Sequence, residues 1–451
     1  MKSGEQFRAV IVGGGPVGLT AAHSFALAGI DFIVLEARDT CCPEAGSSLV
    51  LNPASLRVFH QLGLEEQARK KSAEHERAVL VNYSGKTCKD VRPFTAFDQS
   101  VGQRPMTFHR QDVLKILYDN LSGENRAKIL VNKKVVDVRT YPDAVEVTCA
   151  DGSTYEGTIV IGADGVYSKT RGFMRKLALE ASPNAAVNPE KPYTAYYKCM
   201  WGTVPVPPGL SPGDHLDCHS DLGVSSMFLT GRDRGWFFMF GLLEKATQER
   251  KDYTEDDKEA YAQELAELPM GPGLRFKDIW HTRHSAGMSN LDEGVLDHWG
   301  WNRVVLMGDA VHKVTPNAGW GLNSGIQDVA VLTNLLRKLL KETPTPGAVP
   351  TLESLENVFR AYQEARRENM QEVFDYSATQ TRQSARDGSW TGWMHWLVET
   401  VTSVVPHFDW FMIRYKASKL VSAGHALDFL GGWEPFSGAV PWAHPIRPLM
   451  G

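Results

Sequence analysis

Apolar runs broken by glycine set the frame of this chain. Ala9-Val10-Ile11-Val12 has no polar residue, which predicts a strand buried on both faces of a parallel sheet. It runs through Gly13-Gly14-Gly15-Pro16-Val17-Gly18 into an Ala/Leu-rich stretch at 19–27 that predicts a helix. A second apolar strand follows at 31–35 and ends in Glu36. Further on, the periodicity predicts helices at 54–62 and 111–118, and strands at 129–138, 144–149 and 155–161. Alternating residues at 77–92, with a turn at 83–86, predict a hairpin. The middle third becomes aromatic, with strands expected at 193–204, 225–230 and 236–243 and an acidic helix at 254–268. An apolar strand at 301–307 leads into Gly308-Asp309-Ala310, a loop to Asn323 and a long apolar helix at 324–340. A Pro-rich linker at 342–350, helices from 352–375 and a Trp-rich tail complete the pattern.

The first of these patterns carries chemistry. In Gly13-x-Gly15-x-x-Gly18 the glycines permit a tight turn, close approach to a pyrophosphate and packing of helix on strand. Unpaired N–H groups at the helix start face the phosphates, and Glu36 lies where an acid grips ribose hydroxyls. Strand, glycines, helix, strand and acid together predict a dinucleotide site. They do not distinguish FAD from NAD(P).

Composition narrows the class. The 451 residues are 43% hydrophobic and 22% charged, which suits a globular protein of two or three domains. A net charge of −5 gives no reason to expect nucleic acid. Six cysteines (41, 42, 88, 149, 199 and 218) form no CxxC pair, so reduced thiols, a cytoplasmic setting and no metal site are expected. The chain enters its first strand almost at once, so no signal peptide is expected. No apolar run is long enough to span a membrane; residues 393–413 come nearest and leave room for weak membrane-surface contact. Oligomeric state is not legible.

Three motifs in order are more specific than any one. Gly13-x-Gly15-x-x-Gly18 with Glu36, Asp164-Gly165, and Gly308-Asp309 resemble the FAD motifs of the group A flavoprotein monooxygenases, which share the fold of para-hydroxybenzoate hydroxylase. Leu35-Glu36-Ala37-Arg38, Phe108-His109-Arg110 and the run from His312 to Asn323 look most like fungal indole-diterpene and meroterpenoid epoxidases and spirocycle-forming alkaloid monooxygenases.

The resemblance implies an α/β fold: a Rossmann-like FAD-binding domain, an antiparallel sheet for substrate and a helical C-terminal region. The expected division gives 1–76, 106–190 and 291–342 to the FAD-binding domain. It gives 77–105 and 191–290 to the substrate sheet, and 343–451 to the helical region. Glu36 is expected on the ribose, and Arg38 and Arg110 on the adenine-side phosphates or sugar. Asp164 is expected near FAD and NADPH with Arg171 nearby, and Asp309 on the ribityl chain or pyrophosphate. Pro316, Gly319, Gly321, Leu322 and Asn323 are expected along the isoalloxazine. Lys198 and Tyr196, on the first strand of the substrate sheet, are the expected acid or electrostatic groups, and Trp320 is expected to narrow the space above the ring.

The implied activity is an NADPH- and FAD-dependent monooxygenase using O₂ through a C4a-hydroperoxyflavin, which epoxidises or hydroxylates a bulky apolar indole alkaloid or terpenoid. A non-oxidative cyclase on the same scaffold and a flavin-dependent halogenase are the alternatives. The halogenase signature Trp-x-Trp-x-Ile-Pro is missing, the nearest text being Gly235-Trp236-Phe237-Phe238-Met239. A binding protein without a working flavin is opposed by the intact Gly308-Asp309.

Overall fold

A computed structural model describes residues 6–44, 46–343, 349–386 and 407–448. Two sheets dominate. The first runs Gly300–Trp301, Val304–Leu306, Ile159–Gly162, Arg8–Val12, Asp31–Leu35, Ile129–Leu130. Its pairs are parallel except at the Gly300–Trp301 edge. Val10, Ile11, Val160, Ile161 and Val304 to Leu306 are all buried, as expected for strands covered by helices on both faces. The helices Pro16–Ala28 and Gly321–Glu342 pack on each other beside this sheet.

The second sheet has eight strands, in the order His312–Lys313, Ser285–Val295, Thr194–Val204, Gly235–Thr247, Val224–Thr230, Asp214–His219, Arg77–Asn82, Thr87–Val91. Its neighbours are antiparallel except Asp214–His219 with Arg77–Asn82. Each face has its own core. Met200, Phe237, Met239 and Leu216 pack outward with Tyr261, Phe276 and Trp280 from the helices Glu255–Glu264 and Phe276–Trp280. Tyr197, Cys199, Phe238, Phe240 and Leu291 form the opposite, inner core with Val50 and Trp201. Val50 belongs to Ser48–Leu51, in a three-stranded sheet with Met106–His109 and Ala73–Glu74 that joins the two large sheets.

The α/β class with an antiparallel second sheet and a helical C-terminal region is what the structure has. Several elements differ in detail. The stretches expected as single strands at 129–138 and 155–161 each split between two sheets. Asn132, at φ 58°, turns the chain within the first. Asp214–His219 is a strand without a predicted counterpart, its polar His215, Asp217 and His219 alternating with only Leu216 and Cys218 as apolar positions. The helices expected at 352–375 are one helix, Leu352–Ser384. Residues 387–406, with Trp390, Trp393 and Trp396, lie outside the described residues, as does most of the linker.

Candidate active site

The first turn is built by sterics. Gly13 sits at φ +107°, and a Cβ there would lie 2.5 Å from the Ala163 carbonyl oxygen; one on Gly18 would lie 2.0 Å from the Gly13 oxygen. The turn is therefore pinned between the helix and the neighbouring strand. A Cβ on Gly15 would meet nothing within 4 Å. That open space faces the start of Pro16–Ala28, which has no side-chain cap and no acid in its first turn. Its first N–H groups are left for an anion. Glu36 is buried at the end of the second strand and accepts from the Gly14 N–H (2.7 Å) and the Arg38 N–H (2.9 Å).

Arg110 begins the helix Arg110–Asp119 and packs under Gly46, where a Cβ would meet its Cδ at 2.6 Å. Burial holds its guanidinium below the usual arginine range; Asp309 opposes that shift and Arg38 adds to it. Among the described residues no carboxylate lies within ion-pair distance of Arg110. A desolvated cation of this kind favours an anionic partner. The open turn from Gly13 to Gly18 is one that would fit the diphosphate of FAD. Arg38 is exposed at the rim.

The third motif lies beside the first: Val17 is the nearest neighbour of Gly308. Asp309 takes a hydrogen bond from Lys313 Nζ (2.5 Å), and its Oδ1 lies 3.9 Å from where a Cβ on Gly321 would sit. Gly319, at φ +70°, presses on Val50. Asn323 buckles this loop: its Nδ2 donates to the Val50 (2.8 Å) and Gly319 (2.6 Å) oxygens, and its Oδ1 accepts from the Asn52 N–H (2.9 Å). Pro316 opens a short 3₁₀ turn, and Gly321 and Leu322 begin the helix Gly321–Glu342 with no side-chain cap. Trp320 is buried at that junction.

Beneath the loop, Asp328 is fully buried and accepts from the Gly308 N–H (2.9 Å) and Arg366 Nε (2.9 Å), with His312 Nε2 at 2.6 Å. Burial alone would raise its pKa. His312, Arg366 and the Gly308 amide outweigh that and hold the carboxyl below its ordinary range.

The sheet's inner face turns toward this assembly through Val50. Trp201 pairs with Gly287, whose missing side chain makes room for it: a Cβ there would lie 2.7 Å from the indole. Tyr197 donates from its hydroxyl to the Ala385 oxygen at 3.2 Å. Burial pushes the Cys199 thiol pKa up.

Residues 6–362 match the model of a family described as an FAD binding domain. The chain belongs to that family. It is 33% identical to the FAD-dependent monooxygenase srdH of Neurospora crassa over 98% of this chain and 99% of that one. It is also 32% identical to the FAD-dependent monooxygenase penE of Penicillium thymicola, over 96% and 90%. Among solved structures, Klebsiella pneumoniae HpxO complexed with FAD and uric acid superposes with a TM-score of 0.71 at 19% identity, covering 93% of this chain and 97% of that one. The protein is an FAD-dependent monooxygenase of the kind found in fungal secondary metabolism.

Within this monooxygenase, several residues singled out from sequence stand elsewhere than expected. Lys198 shares its face with Met200, and its Nζ lies 4.2 Å from the centre of the Tyr261 ring, on the outer side of the sheet. Strand alternation is the reason: Tyr197, Cys199 and Trp201 take the inner face, so Lys198 takes the other. Tyr196 lies at a break in register, 41% exposed, with Arg382 over its ring at 5.2 Å. Neither joins the inner-face cluster around Val50.

Asp164 accepts from the Thr170 N–H (3.0 Å), Thr170 Oγ1 (3.0 Å) and Ser168 Oγ (2.5 Å), anchoring the start of Lys169–Ala181. Arg171 spends its guanidinium on the Ala310 and Val166 oxygens, both at 2.9 Å, and so ties the second motif to the third. Arg283 pairs with Glu259 at 2.5 Å, and His284 is exposed. Sequence reading missed Val50, Trp201, Gly287, Asp328 and Arg366. An acid inside so apolar a helix was the available signal for Asp328.

Proposed function

We propose that this monooxygenase epoxidises or hydroxylates a bulky, neutral, polycyclic secondary metabolite of the indole or terpenoid class, with NADPH as reductant. The observation that carries this reading is the inner face of the eight-stranded sheet. Tyr197, Cys199, Trp201, Phe238, Phe240 and Leu291 pack into one apolar and aromatic cluster with Val50. An apolar, aromatic wall of this extent suits a large hydrocarbon skeleton.

When bound, FAD supplies the oxygen-activating redox chemistry, and the protein supplies position, exclusion of water and proton handling. Gly13, Gly15 and Gly18 bring backbone amides to the diphosphate, with Glu36 on the ribose and Arg38 and Arg110 as counter-charges. Asp309 holds the ribityl side. Pro316, Gly319, Gly321, Leu322 and Asn323 form the edge along the ring, and the Asn323 hydrogen bonds fix that edge against Val50. Asp164 and Arg171 support it by holding the second motif to the third. In place of Lys198 and Tyr196 we assign proton donation to Tyr197, an inner-face hydroxyl that donates to the Ala385 oxygen.

Incubation with NADPH and candidate indole or terpenoid alkenes under ¹⁸O₂ tests the proposal. One labelled oxygen per product is expected, and Tyr197→Phe is expected to slow turnover while FAD content holds. An unlabelled product, or uptake of small aromatic acids in preference, would overturn it.

A further inference from the structure

Outside the cofactor site, one surface combines exposed rings with unbalanced positive charge. Phe408–Met412 continues through Ile413–Ala417 into Ser418–Ser422. On these turns Phe411 is 45%, Met412 39% and Tyr415 67% exposed, and the Phe411 and Tyr415 rings stack at 6.0 Å. Beside them a groove of about 1150 Å³ runs along the edge strand Thr87–Val91.

The groove and the turns that follow it carry six basic side chains and two carboxylates, on a chain whose formal net charge is −5. Both carboxylates are engaged: Asp90 by Arg77 at 2.6 Å and Asp409 by Lys89 at 3.1 Å. Arg92 is 68% exposed, 3.7 Å from a Glu76 that Arg104 already holds at 2.6 Å. Lys416 follows Met412 by four residues and Lys419 follows Tyr415 by four, and both are exposed. Cations thus stand next to the apolar side chains, as lysines do where their stems reach from an oily layer to phosphate.

We propose that this face docks the enzyme onto a bilayer surface containing anionic lipid, with Phe411, Met412 and Tyr415 at the acyl boundary and Arg92, Lys416 and Lys419 on headgroups. No helix among the described residues is long and apolar enough to cross a membrane. A second copy of this chain is disfavoured as the occupant, because a two-fold contact would set the same basic patch against itself. The inference stands whether or not the substrate class above is right.

The test is co-sedimentation of the FAD-loaded full chain with phosphatidylcholine vesicles, with and without about 30% phosphatidylserine. Binding is expected with phosphatidylserine, weakened at about 0.5 M salt. Each basic residue contributes roughly fivefold, so Arg92→Glu with Lys416→Glu is expected to lower partitioning at least tenfold. Phe411→Asp with Tyr415→Asp is expected to abolish it, with circular dichroism and FAD content unchanged in both variants. No binding, equal binding to phosphatidylcholine alone, or binding indifferent to both variants would overturn the proposal. So would a dimer in light scattering that Phe411→Asp dissolves, or capture by an acidic protein with no lipid binding.

Discussion

The carboxylate of Asp328 supports a quantitative prediction about how the third motif is held. It is fully buried, and Arg366 and His312, at 2% and 1% side-chain exposure, depend on it as acceptor. Asp328→Ala leaves a buried guanidinium without its counter-charge and the Gly308 N–H without its partner. Breaking a buried pair from one side costs about 3–5 kcal/mol. The orphaned amide adds about 1–3 kcal/mol, less than additively because the groups share one network. A total near 5 kcal/mol is a large share of the roughly 5–15 kcal/mol that typically separates folded from unfolded.

Asp328→Asn keeps the shape and one acceptor, and is expected to cost about half as much. Because Asp309 follows Gly308 directly, either change is expected to weaken FAD binding at least tenfold, a loss of about 1.4 kcal/mol at the site. Urea unfolding read by circular dichroism measures the first effect, and titration of apoprotein with FAD the second. The wild-type contribution has a defined pH dependence: with the folded pKa below the unfolded one, it is complete above the unfolded value and fades as pH falls through the folded value. An Asp328→Ala protein with the wild-type unfolding midpoint and FAD affinity would refute this account.

Three further outcomes follow from the geometry. Lys198→Met is expected to leave FAD content and substrate-dependent NADPH oxidation within about twofold of wild type, since Lys198 packs on Tyr261 on the outer face; a tenfold loss of turnover would return it to the mechanism. Gly287→Val is expected to displace the Trp201 indole at a cost of about 1–3 kcal/mol and to lower kcat/KM for bulky substrates without loss of flavin, read by steady-state kinetics and absorbance. His425 and His444 stack at 3.7 Å; burial lowers both pKa values, that of His425 to about 3, with His444 adding to the shift at His425 and Arg57 lowering both through charge. Unfolded histidine takes up a proton near pH 6.5. Stability of the 424–447 segment is therefore expected to fall from that pH downward and to level near the folded value. Limited proteolysis should cut it faster at pH 5 than at pH 7.5; equal rates would discount the pair.

Much of the nucleotide turn was legible because its determinants are local. Gly18 is dictated by the Gly13 oxygen within the same turn and Gly13 by its φ of +107°, and the flanking apolar strands are buried. The inner aromatic wall was legible only as aromatic strands. Whether such a face meets helices or a cofactor domain is not encoded in alternation.

Lys198 shows where the boundary falls. Its parity with Met200 and against Tyr197, Cys199 and Trp201 is written in the strand itself. Which parity faces the flavin side is set by Glu255–Glu264 packing on one surface and Ser48–Leu51 on the other, from segments far away in the chain. The same holds for Asp328, Arg366 and His312, which the chain order keeps apart and the fold brings within hydrogen-bond distance. The sequence by itself determined the cofactor turn, the order of the three motifs and the α/β class, because these rest on short-range backbone geometry and patterning. The tertiary structure alone decided which side chains share the active face, because that depends on how distant surfaces exclude water from each other.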